Sequence, residues 1–140
     1  MEIYEMIIPF NIAKRLKKLG YHYPATSYWE IDTNTPEQRT LPILHIGCPV
    51  SDYNDSSWFK VSAPNRAEVL EWFREIHKYY IYIIPRFNGG DGAQYYCHYS
   101  IFKEGAREEC DINGDGTYEF KEAELSAITE VLDLIEKKTT

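Results

Sequence analysis

The residues from Asp111 to Glu122, DINGDGTYEFKE, repeat the oxygen spacing of an EF-hand calcium loop. Asp111, Asn113 and Asp115 fall at loop positions 1, 3 and 5, Gly116 at the sharp turn, Thr117 at the carbonyl position and Glu122 at the bidentate last position. Calcium needs six or more hard oxygens, and this run offers carboxylates, an amide oxygen and a backbone carbonyl. Calcium is the one cofactor the sequence suggests. Two features count against it. Tyr118 stands where a small aliphatic residue usually joins a paired loop, and YYCHYSIFKEG just before reads as a strand rather than an entering helix. The plainer reading is a turn at Asn113 to Gly116, with acidic residues favouring the start of the closing helix.

Imidazole and thiol groups are fewer. His45 and Cys48 are three apart, and Cys97 and His98 are adjacent, which brings together four side chains of zinc-binding type. Neighbours on a strand point to opposite faces, so Cys97 and His98 do not readily share one ion. A small enzyme with an unrecognised site would draw on His45, His98 or Cys48, and nothing in the sequence singles one of them out as a nucleophile with its base. The glycine run NGGDG lacks the Lys and Ser/Thr of a phosphate loop, and no G-x-S-x-G turn or dinucleotide fingerprint is present.

The tyrosines are the more distinctive resource. Tyr occurs 12 times and outnumbers Phe and Trp together, and it tolerates a half-buried position with its hydroxyl in water. Alternation along YYIYII sets Tyr80 and Tyr82 against Tyr79, Ile81 and Ile83. The same rule sets Tyr96 and His98 against Tyr95, Cys97, Tyr99 and Ile101 on the next strand. Tyr80, Tyr82, Tyr96 and His98 are thus the expected members of an open aromatic platform, suited to a protein partner or a flat ligand. The plainer reading is cross-strand tyrosines stabilising a solvated sheet face.

These residues need elements to hold them. PFNIAKRLKKLG places Ile12, Ala13, Leu16 and Leu19 on one side of a short helix, punctuated by Pro9 and Gly20. SYWEIDT and LPILHIG read as two strands of a long-looped hairpin. In APNRAEVLEWFREIHK, Asn65 and Glu68 form a capping box, and Val69, Leu70, Phe73 and Ile76 make the buried stripe. YYIYIIP and QYYCHYSIF are strands joined by a glycine-rich loop, and Leu125, Ile128, Val131, Leu132 and Ile135 mark a closing helix. The stretch GCPVSDYNDSSW has the least pattern and reads as a loop. The expected class is α+β, an antiparallel sheet of about four strands with three helices in the order αββαββα, in one domain over residues 1–140.

Composition narrows the partners. With 44% hydrophobic and 26% charged residues the chain has the makeup of a globular domain. The formal net charge of −7, with no long basic stripe, argues against duplex nucleic acid. The start MEIYEMIIPF shows neither a signal-peptide plan nor a membrane span, and the odd cysteine count without C-x-x-C spacing points to reduced thiols, so the cytoplasm is the expected compartment. Assembly as a homodimer is left open.

The segments PFNIAKRLKKLGY, APNRAEVLEWFREIHKYYIYIIP and FKEAELSAITEVLDLI resemble a family of short uncharacterised proteins from Bacteroidetes genomes and their phages. The likeness spans most of the chain, apart from CDINGDGTYEFKE, which is richer in Asp and Gly than the family pattern. No known activity attaches to that family, so the resemblance implies a phage or mobile-element setting and transfers no catalytic or cofactor residue. The sequence as a whole leans to a non-enzymatic binding module. A calcium-binding module and a small enzyme are the alternatives.

Overall fold

Helix α1, Phe10–Lys18, begins after Pro9, whose φ of −58° suits a helix entrance. It ends in a Schellman motif: Gly20 at φ +88° lets its own N–H reach Lys17 O at 3.2 Å and the Tyr21 N–H reach Leu16 O at 3.0 Å. Ile12, Ala13 and Leu16 are buried along one side, and Tyr21 is fully buried just past the cap. The structure is a computed structural model that describes residues 6–31, 42–56, 58–88, 94–105 and 119–139. The chain forms two compact units, Met1–Glu68 and Val69–Thr140.

In the first unit β1 (Tyr28–Glu30) lies between β2 (Ile43–His45) and β3 (Lys60–Ser62), antiparallel to both. The register places Trp29 between Leu44 and Val61 on one face and Tyr28 between His45 and Ser62 on the other. The Trp29 face meets the start of α1: the indole N–H donates to Ile8 O at 3.1 Å, and the ring meets Phe10 edge-on at 6.0 Å. Over the Tyr28 face sits a single helical turn, α2 (Tyr53–Ser56), inside the stretch read from sequence as a patternless loop. Asp52 opens that turn by accepting from the Asn54 N–H at 3.1 Å. Asn54 then ties the unit together, donating to Tyr21 O at 2.7 Å and accepting from the Ser62 N–H at 2.8 Å.

The second helix, α3 (Arg66–Trp72), has the expected capping box. Asn65 Oδ1 accepts from the Glu68 N–H at 2.8 Å, and Glu68 Oε1 accepts from the Asn65 N–H at 3.1 Å. It continues into a π-helical turn, Phe73–His77, closed by Lys78 in the left-handed region at φ +62°. The wider turn shifts the phase of the apolar stripe. Val69 and Phe73 are fully buried, but Ile76, expected inside, is 55% exposed, and His77 packs edge-on against the Trp72 ring at 4.5 Å instead.

Strands β4 (Tyr79–Asn88) and β5 (Gln94–Lys103) form an antiparallel pair running from Tyr79↔Lys103 to Asn88↔Gln94. Helix α4 (Phe120–Thr139) packs on this pair through Ala127, Ile128, Val131, Leu132 and Ile135. The α+β class and the order of the longer elements agree with the sequence reading. The sheet does not form as one piece of about four strands: among the described residues five strands divide into a sheet of three and a sheet of two. Among the described residues no helix is long and apolar enough to cross a membrane.

Among the described residues His77 Nε2 is buried without a hydrogen-bond partner, and burial pushes the imidazole below its ordinary value of 6.5. The folded state therefore resists protonation there more than the unfolded chain does. The stability this contributes is complete above 6.5 and is lost as pH falls below it toward the folded value. Thermal melts between about pH 7.5 and 5.5 should show a smaller loss of stability in His77→Phe than in the wild type. Equal slopes would show that His77 does not resist protonation in the fold.

Candidate functional site

Two long strands with one covered face determine what the other presents. Tyr79, Tyr99 and Ile101 turn to α4 and are buried, and the Lys103 and Lys138 ammonium groups lie over the Tyr79 ring at 5.0 and 5.4 Å. The register then sets Tyr80 opposite Phe102, Tyr82 opposite Ser100 and Ile84 opposite His98 on the second face, with Tyr96 on the same side two residues before His98. All four platform residues expected from sequence fall on that one face.

They are not equivalent within it. Tyr80, Tyr82 and Ile84 join Phe102 and Glu104 in lining an open groove of about 650 Å³. Tyr82 is 53% exposed and meets the Phe102 ring edge-on at 5.3 Å, the favoured geometry for two aromatic quadrupoles. Tyr96 and His98 lie farther along the strands, half-buried, with rings 6.5 Å apart, and do not line the groove. Phe102 and Glu104 were not singled out from sequence. Alternation counted onward from Tyr96 and His98 passes through Ser100 to Phe102, so the signal for Phe102 was present.

At one end of the groove the Tyr80 hydroxyl donates to Glu104 Oε2 at 3.2 Å. Tyr80 is pushed above its ordinary value of 10.0, first because this hydrogen bond holds the protonated form and then because the Glu104 charge opposes a phenolate. Glu104 is fixed in turn by its own backbone, whose N–H donates to Lys78 O at 2.9 Å.

The residues considered for catalysis are placed elsewhere. His45, in the first unit, stacks on Tyr28 at 4.6 Å and 18°. Its Nε2 is 2.9 Å from Glu30 Oε2, at ion-pair distance but not aligned as a hydrogen bond. Tyr53 lies 4.6 Å from Tyr28, and its hydroxyl donates to Pro49 O. Burial, and then the nearby Cys48, raise both tyrosines above the ordinary phenol value. His98 belongs to the second unit, on β5. Cys97 and His98 are consecutive on that strand, as their opposed faces require.

Of the calcium-loop residues, Asp111, Asn113, Asp115 and Thr117 lie outside the described residues. Glu122 is exposed in the first turn of α4. Among the described residues no three His, Cys, Asp or Glu side chains converge to hold a metal ion. Comparison with family models, curated proteins and solved structures finds no match for the chain.

The Tyr80 contact has a spectroscopic signature. In an ultraviolet pH titration, the difference between wild type and Tyr80→Phe isolates one phenol, and its transition should lie above 10.0. Glu104→Ala should bring it back toward that value. An unmoved transition would show that the carboxylate does not hold the hydroxyl.

Proposed function

We propose that the chain is a non-enzymatic binding protein that seats a protein segment or a flat apolar ligand in the groove of the β4–β5 face. The observation that carries this reading is the groove of about 650 Å³, formed by Tyr80, Tyr82, Ile84 and Phe102 on the face α4 leaves uncovered. Its volume lies in the range of ligand clefts, and its makeup is that of many interface cores, aromatic with few polar groups. Tyr80 and Glu104 place one polar contact at its end, enough to orient a bound group. Two-χ aromatics lose little conformational entropy on binding, so Tyr82 and Phe102 are suited to act as anchors.

The setting proposed for this binding is the cytoplasm, in keeping with the free thiols Cys48 and Cys97. The family resemblance adds a phage or mobile-element context, in which a host protein would be a natural partner.

Affinity capture from the native host, comparing wild type with a Tyr82→Ala/Phe102→Ala variant, tests the groove. Both side chains lie on the uncovered face, so the variant should keep its melting temperature and lose about tenfold or more in affinity for the captured partner. Equal capture by both proteins would sink the reading.

A calcium loop is the second reading, favoured by the spacing from Asp111 to Glu122 and by the exposed Glu122 at the start of α4. Calorimetric titration with calcium should then release heat in the wild type and much less in Glu122→Gln. No heat at millimolar calcium would end this alternative.

A further inference from the structure

A surface of the opposite character lies on α1. From Met6 to Trp29 the sequence holds no Asp or Glu, while α1 alone carries Lys14, Arg15, Lys17 and Lys18. On a chain of net charge −7 this is a local reversal of sign, with the excess negative charge carried entirely elsewhere. The apolar side of the helix is buried through Ile12, Ala13 and Leu16, which turns the cations outward.

The cations differ in what already holds them. Lys17 is committed to the fold, its Nζ donating to Lys60 O at 2.8 Å. Lys14 and Lys18 are exposed, and among the described residues neither makes an ion pair or a hydrogen bond. The Lys14 ammonium lies over the Phe10 ring, 5.4 Å from its centroid. Phe10, Asn11, Lys14, Arg15 and Lys18 together line a shallow groove of about 310 Å³. Positions 11, 14, 15 and 18 follow helical spacing, so their side chains share one stripe about 10 Å long.

We propose that this stripe of α1 docks a short acidic segment of a partner protein. Its length accommodates two or three carboxylates, which meet Lys14 and Lys18 as charge-assisted hydrogen-bond acceptors while the Asn11 amide and the Phe10 ring take backbone and apolar contacts. A nucleic-acid strand would extend beyond a stripe of this size into the field of an acidic protein, which weakens it as an occupant. An isolated phosphate finds no cradle of backbone N–H groups along this stripe, which runs down the side of the helix where those groups are taken up by the helix's own hydrogen bonds. A membrane surface is disfavoured because the apolar side of α1, which would have to insert, is packed in the unit's core.

Fluorescence anisotropy with labelled hexaglutamate, and in parallel with a labelled thymidine oligonucleotide, tests the proposal on the full chain. The peptide should bind the wild type, weaken as salt rises from about 50 to 200 mM, and bind Lys14→Glu/Lys18→Glu about tenfold or more weakly. Lys14→Gln/Lys18→Gln serves in its place should charge reversal lower the melting temperature. Equal peptide binding by the variant, or no binding at millimolar peptide, overturns the proposal. Tighter binding of the oligonucleotide through the same lysines also overturns it and assigns the stripe to nucleic acid.

Discussion

A two-stranded ladder can bury only one of its faces against a single helix, and the β4–β5 hairpin is organised by that constraint. Side chains alternate strictly along each strand, so once Tyr79, Tyr99 and Ile101 are committed to α4, their neighbours Tyr80, Tyr82, Phe102 and His98 have to face away. A slip of one residue would carry the aromatic groove to the helix side and leave the core residues in water. Burial of the α4 side thus fixes the composition of the groove, although no groove residue need contact α4.

The first unit rests on a different device. Its strands are three residues long, too short for a ladder to specify a sheet by itself. Side chain to backbone bonds supply the missing definition. Asn54 satisfies a carbonyl at Tyr21 and an amide at Ser62 from one buried side chain, so the chain leaving α1 and the edge strand β3 are held by a single residue. Removing either bond would strand a buried backbone group, and the cost of that is larger than the net worth of the hydrogen bond itself. The indole of Trp29 does similar work on the opposite face, reaching the Ile8 carbonyl ahead of α1.

Features governed by local chemistry were legible in the sequence. The Asn65–Glu68 box, the Gly20 terminus of α1 and the shared face of Tyr80, Tyr82, Tyr96 and His98 all follow from spacing within a few residues. What escaped depends on partners distant in sequence or on a break in period. Asn54 looks like any loop asparagine until Tyr21 and Ser62 are brought to it. Ile76 fits a 3.6-residue period and is turned out by the π turn after Trp72, which no residue in FREIH announces. The partition of the five described strands into two sheets is likewise invisible to strand propensity, which locates strands but not their neighbours. The groove itself needed the register: alternation puts Phe102 on the face of Tyr96 and His98, and the pairing with Tyr80 shows that it stands beside Tyr80 and Tyr82 to complete the aromatic wall.

The two surfaces differ in how their charges are used, and this bears on what each can select. Around the hairpin groove the charged groups are already engaged, Lys103 over the Tyr79 ring and Glu104 with the Tyr80 hydroxyl. A ligand there meets rings and apolar side chains more than free charge, so shape and buried area govern its affinity, and salt has little leverage. On α1 the order is inverted. Lys17 has a structural partner, while Lys14 and Lys18 remain exposed on long, flexible stems. Contacts of that kind contribute little each in water and act mainly through the field they sum to, so they steer an acidic partner rather than clamp it. A strongly acidic chain that keeps one helix free of acid in this way preserves a region where attraction, rather than repulsion, meets another negatively charged molecule.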